Sequence, residues 1–181
     1  MPKKKTLSMG NYQFIRDRRG PELEWYRVED IKKDTFPRSV VLVNGAFDML
    51  HASHMRLLFA ARDKAGPKGT VVCALDGDSK ISENKGVGRP IQTFVERATA
   101  LQYMPIDAVV EVTSEGDMRN LIQRLRPDLR VQGVEYKTTV SRYPWLKKAY
   151  IRDGANHTTD LRKRCYESYM KEIEYQKDYD E

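Results

Sequence analysis

Val40-Val41-Leu42-Val43-Asn44-Gly45-Ala46-Phe47-Asp48-Met49-Leu50-His51-Ala52-Ser53-His54 is the stretch on which the fold turns. Its first four residues are apolar and mostly β-branched, the pattern of a strand buried on both faces of a parallel sheet. Asn44-Gly45 breaks the run, and glycine lets the backbone turn tightly or approach a ligand. From Ala52 onward, Met55, Leu57, Leu58 and Ala61 fit a helix packed on that sheet. His51 and His54 therefore sit where strand gives way to helix. Three positions apart on a first turn, they share one face. A helix N-terminus offers free N–H groups and partial positive charge, which favour phosphate, and two imidazoles add further hydrogen bonds. The His-x-x-His spacing alone also describes a solvated surface pair or a metal pair. No cysteine or third histidine lies nearby to complete a metal site.

The chain has three histidines, and the remaining one falls in Arg152-Asp153-Gly154-Ala155-Asn156-His157-Thr158-Thr159. Thr158 and Thr159 open the last helix and bring hydroxyls and free N–H groups, suited to phosphate; ordinary helix capping would use the same residues.

Strands are expected at Val40–Val43, Thr70–Leu75, Ala108–Val112 and Leu129–Gln132, and helices near Ala52–Lys64, Thr93–Tyr103, Asp117–Arg126 and Thr158–Tyr169, with Pro127 ending the third. This alternation reads as an α/β fold with a doubly wound parallel sheet. Such sheets bind ligands beyond the carboxyl ends of their strands, where the strand order switches. His51 and His54 follow one of these strands.

The length suits one domain with a sizeable core. Hydrophobic residues make up 40%, no apolar run approaches membrane-spanning length, and no secretory signal is visible. The expectation is a soluble, cytoplasmic enzyme. Two cysteines give no disulfide framework, and Cys73, within Val71–Leu75, reads as a small core residue. The net charge of +6 comes without an aromatic-rich basic stripe, so it suits anionic small substrates rather than nucleic acid. Lys3 to Lys5 and the acidic Asp178, Asp180 and Glu181 read as solvated termini. Residues 1–37 read as an N-terminal extension that Trp25, Tyr26 and Ile31 pack down, 38–165 as the domain, and 166–181 as a C-terminal helical tail. Tyr166, Tyr169, Met170 and Ile173 form a stripe on that tail, which leaves open packing on its own domain or on a second copy in a homodimer.

Asn44 to His54 resembles the signature of the cytidylyltransferase-like nucleotidyltransferases, which ends in His-x-Gly-His. The wider resemblance, over roughly Arg38 to Cys165, is to the adenylyltransferase domain of ADP-heptose synthase and to glycerol-3-phosphate cytidylyltransferase. It is carried further by Lys85-Gly86 with Arg89-Pro90, Glu96-Arg97, Leu125-Arg126-Pro127-Asp128 with Gly133, and Arg152 to Thr159. Ser53 replaces the family glycine. In the Arg-x-x-Gly-x-Ser-Thr-Thr element, Arg152, Thr158 and Thr159 are in register; His157 takes the serine's place, and Ala155 stands where the glycine belongs.

The resemblance implies a Rossmann-like fold and nucleotidyl transfer. An acceptor phosphate attacks the α-phosphorus of ATP or CTP, and pyrophosphate leaves. His51, His54, Lys85 and Arg152 are then the catalytic positions, with Lys85 reaching the phosphates from a flexible Ser82–Gly88 loop. Asn44, Gly45, Ala46, Phe47 and Asp48 would bind nucleotide, Asp48 by orienting the motif. Ser53, Asp78 and Gly133 would join them, as would His157, Thr158 and Thr159, with Arg97 giving fixed positive charge. Magnesium ion (Mg2+) would bridge the phosphates. The acceptor would be a sugar, alditol or alcohol phosphate. The competing readings are a nucleotide-binding protein that has lost catalysis, and an adenylyltransferase acting on another acceptor such as nicotinamide mononucleotide or pantetheine phosphate.

Overall fold

The computed structural model of the chain describes residues 24–36, 39–138, 143–152 and 158–180. The strands are β1 (Glu24–Arg27), β2 (Val40–Gly45), β3 (Thr70–Asp76), β4 (Ala108–Val112), β5 (Leu129–Gly133) and β6 (Lys147–Ile151). They form one sheet in the order β1-β4-β3-β2-β5-β6, parallel at every pairing. The helices are α1 (Ala52–Ala65), α2 (Asp78–Lys85), α3 (Phe94–Leu101), α4 (Glu115–Leu125) and α5 (Thr158–Asp180). The expected doubly wound, Rossmann-like architecture is the observed one.

Alternation along the strands divides the core in two. Val41 and Val43 face Leu58 and Ala61 of α1 and Ala98 and Leu101 of α3. Val40 and Leu42 face Met118, Leu121 and Ile122 of α4. The helix ends follow local chemistry. Thr93 caps α3 in a reciprocal capping box with Glu96. Ser114 caps α4 through the Asp117 amide, and Arg126, in the left-handed region, stops it ahead of Pro127. Cys73 is fully buried in the core, where burial pushes its thiol up and leaves it inert.

Two strands escaped the sequence reading. β1 lies inside the stretch read as an extension and pairs with β4 from Glu24↔Ala108 to Arg27↔Glu111, so a boundary at residue 37 cuts through the sheet. Its few residues give too short a pattern to register, although Tyr26 and Ile31 are buried as expected. β6 is half-exposed at the opposite edge, and an edge strand lacks the continuous apolar run of a central one. At the C-terminus, α5 runs unbroken through residue 165, so no tail begins there. Tyr166 and Tyr169 stand exposed on it, while Met170 and Ile173 are half-buried.

The switch in strand order falls between β3 and β5, on either side of β2. The strand ends carrying Asn44-Gly45 and Gln132-Gly133 meet there.

Candidate functional site

The loop from Ala46 to His51 leaves β2 at that switch. Phe47 and Met49 hold φ of 47° and 52°, a left-handed backbone that non-glycine residues keep only when their surroundings enforce it. The enforcement is visible. The buried Asp48 carboxylate accepts from the Ile91 amide at 3.1 Å and the Gln92 amide at 3.0 Å. It also pairs with the buried Arg89 at 3.3 Å. The Met49 amide donates to Gln92 Oε1 at 2.7 Å. From beneath, the fully buried Arg97 donates to the Ala46 carbonyl at 2.5 Å and the Gln92 carbonyl at 3.0 Å. Asp78 neutralises Arg97 at 2.7 Å.

His51 is the N-cap residue of α1. The His51 and His54 rings stack with centroids 3.8 Å apart and planes 23° from parallel, and Phe47 packs against His54 at 5.2 Å. Thr158, at the start of α5, donates its hydroxyl to the Asp48 carbonyl at 3.1 Å and lies 3.4 Å from His51 Nε2. The first turns of α1 and α5 therefore converge.

Between them opens a cleft of about 680 Å³. It gathers Asn44 to Asp48, both histidines, Ser53, Lys85, Gly133, Arg152, Thr158 and Thr159. Lys85 is largely exposed, yet partial burial, followed by repulsion from Arg89, lowers its pKa. An ammonium group so placed is stabilised by an arriving anion.

Two expected nucleotide contacts are elsewhere. Arg97 and Asp78 do not line the cleft: Arg97 has no exposed surface, and its donors are spent on Ala46, Gln92 and Asp78. It is a fastener for the loop rather than a free charge for phosphate. The segment expected as a flexible Ser82–Gly88 loop is helical up to Lys85, which closes the last turn of α2 before Gly86; the Ser82 hydroxyl is tied to the Arg89 carbonyl at 2.7 Å. His157, with residues 153–156, lies outside the described residues.

The cleft also contains residues the sequence did not mark. Arg162 lines it, four positions after Thr158 and so on the same face of α5, a spacing that was there to be read. Gln132, Glu135 and Tyr136 line it from the β5 side. Arg130, just behind them, binds Asn44 Oδ1 through Nε at 3.0 Å and Nη2 at 2.8 Å.

A family model described as cytidylyltransferase-like matches residues 42–172. The chain belongs to the cytidylyltransferase-like family. Its relatives include bifunctional protein HldE of Campylobacter curvus, 32% identical over 138 residues, which are 73% of this chain and 29% of that protein. Bifunctional protein HldE of Mesorhizobium japonicum is 40% identical over 99 residues, 54% of this chain and 19% of that one. The chain thus spans less than a third of the length of either relative. A crystal structure of the lipopolysaccharide core biosynthesis protein from Thermoplasma volcanium aligns with a TM-score of 0.52 at 23% identity, over 64% of this chain and 98% of that one; it shows the same fold.

Among the described residues, no three histidine, cysteine or carboxylate side chains come together as a metal site, and Asp48 is already engaged by Arg89. The described side chains do not fit a resident metal. Also among the described residues, no helix is long and apolar enough to cross a membrane.

Proposed function

We propose that the chain transfers a nucleotidyl group from ATP or CTP to the phosphate of a sugar, alditol or alcohol, releasing pyrophosphate. The observation that carries this reading is the convergence of the stacked His51–His54 pair, the α1 and α5 N-termini and three basic side chains, Lys85, Arg152 and Arg162, on one cleft at the switch point. The HldE resemblance supports a sugar phosphate as the acceptor.

The acceptor oxygen is already anionic, so the protein supplies no covalent nucleophile. Its work is positioning and neutralisation of charge as the α-phosphorus changes partners. His51 and His54 donate hydrogen bonds to phosphoryl oxygens from a loop that Asp48 and Arg97 keep from relaxing. Lys85, Arg152 and Arg162 offset the charge that builds on the departing pyrophosphate. Thr158 and Thr159 offer hydroxyls and amides at the start of α5. Mg2+ bound with the triphosphate would supply further neutralisation of the phosphate charge.

The test is pyrophosphate release from ATP and from CTP across a panel of sugar, alditol and alcohol phosphates. Acceptor-dependent release with at least one pair supports the reading. Triphosphate binding with no release from any pair overturns it in favour of a non-catalytic nucleotide-binding protein.

A further inference from the structure

A second polar cluster occupies the opposite face of the same sheet edge. Arg130 is in register with Leu42, which packs against α4, so Arg130, Gln132 and Asn44 project to the α4 side while the histidines lie on the α1 side. Arg130 is half-buried, and burial weighs against its charged form. Its described hydrogen bonds both go to Asn44 Oδ1, a neutral acceptor that occupies two of five N–H donors and returns no charge. Asp76 and Glu115 act on it through space, but Lys80 already engages both, at 2.8 and 3.2 Å. Among the described residues, no carboxylate reaches ion-pair distance of Arg130.

Beside it, Gln132 Oε1 is buried without a hydrogen-bond partner among the described residues. Asn44 and Gln132 both line the cleft, so the cluster opens into it. Gly45 and Gly133 end the two strands between the faces. A Cβ on Gly133 would fall 2.1 Å from a Glu135 carboxylate oxygen, so any larger residue there would displace Glu135 in the cleft wall.

A partly buried guanidinium with free donors and no counter-charge is matched by a ligand phosphate, which it can grip through two parallel hydrogen bonds. We propose that Arg130 anchors the acceptor's phosphate, held in position by Asn44, with the Gln132 amide meeting a hydroxyl of the same molecule. The inference rests on the nucleotidyl-transfer reading and adds the acceptor's place to it. In-line displacement needs the attacking oxygen opposite the leaving group. Anchoring the acceptor's phosphate on the α4 side, away from the histidines, keeps the two anions apart until the attack. The bond formed joins an acceptor oxygen to the α-phosphorus; the bond broken is that between the α-phosphorus and the bridging oxygen, which leaves on pyrophosphate with its electron pair.

The test titrates inorganic phosphate into the full chain by phosphorus NMR, with and without saturating α,β-methylene-ATP and Mg2+. Three variants are compared. Arg130→Met removes the charge and the donors. Arg130→Gln keeps a donor for Asn44 without the charge, and Arg130→Lys keeps the charge. Loss of phosphate affinity by about tenfold or more is expected in Met and Gln, with Lys retaining most of it and the affinity for the nucleotide analogue unchanged in all three. Arg130→Gln also serves if Arg130→Met fails to fold. Wild-type phosphate affinity in Arg130→Gln, or equal loss of phosphate and nucleotide binding, overturns the proposal. Failure of the wild-type chain to bind either this analogue or its cytidine counterpart, α,β-methylene-CTP, overturns the nucleotidyl-transfer reading instead, and the titration without nucleotide still tests Arg130.

Discussion

The two strand ends that meet at the switch point are furnished in opposite ways. At the end of β2, Asp48 holds Arg89 and two amides, and Arg97 holds two carbonyls and Asp78. At the end of β5, Arg130 has a neutral amide oxygen for a partner, and Gln132 leaves a buried oxygen unmatched. Buried polar groups carry a cost unless something pairs them. Where the protein supplies the partner, the group shapes the backbone; where it does not, the ligand is the missing partner. By that criterion the β2 loop is a rigid mount for two histidines, and the β5 end is a receptor.

The contrast is broken most severely at Arg97. Arg97→Ala should leave two carbonyls and Asp78 without their donor and destabilise the chain by about 3 kcal/mol, the lower end for a broken buried pair because Asp78 is partly exposed. Denaturant unfolding measures it. A loss comparable to that of an exposed arginine would mean that Arg97 does not fasten the loop.

His51→Ala and His54→Ala should leave unfolding unchanged while turnover falls on the order of 100-fold, the usual effect of one lost oxyanion donor. Near-normal turnover in either folded variant removes that histidine from the mechanism.

Lys85→Met is expected to lower turnover by roughly tenfold, less than either histidine change, since an exposed ammonium works in higher dielectric. Its stability effect should have the opposite sign. Burial and Arg89 depress the Lys85 pKa in the fold, so its charge opposes folding below that folded pKa. The opposition fades as pH rises through the folded and then the unfolded value. The ligand-free variant should therefore melt slightly higher than the wild type at neutral pH, with the gain vanishing in the alkaline range. A lower melting temperature at neutral pH would show that Lys85 has a structural partner.

Ser53→Gly should change least. Ser53 is buried in the first turn of α1 and lines the cleft. Nucleotide affinity by calorimetry should fall by less than the roughly fivefold of one lost hydrogen bond; a larger fall would give the hydroxyl a direct contact.

The same contrast governs what is legible in the sequence. The central strands β2, β3 and β4 are legible because burial on both faces forces apolar runs, and the histidine segment because a strand, a glycine and a helix start follow one another. The edge strands β1 and β6 are not, since one side of each meets solvent and the pattern dissolves. Arg97 shows the limit for single residues: next to Glu96 in a motif it looks like a phosphate ligand, and only the fold shows that its charge is spent on Ala46, Gln92 and Asp78. Arg130 shows the converse, a charge in a strand whose meaning depends on Asn44, 86 positions away, and which the sequence pattern alone does not single out.

The claim that matters most is which bond is broken in the cleft. Incubation with α-labelled triphosphate, γ-labelled triphosphate and the sugar-phosphate panel tests it directly. Nucleotidyl transfer requires the α-label in a sugar-linked product and the γ-label in pyrophosphate, with both lowered on the order of 100-fold in His54→Ala. Appearance of the γ-label on the acceptor, or the absence of α-label from every product, would contradict it.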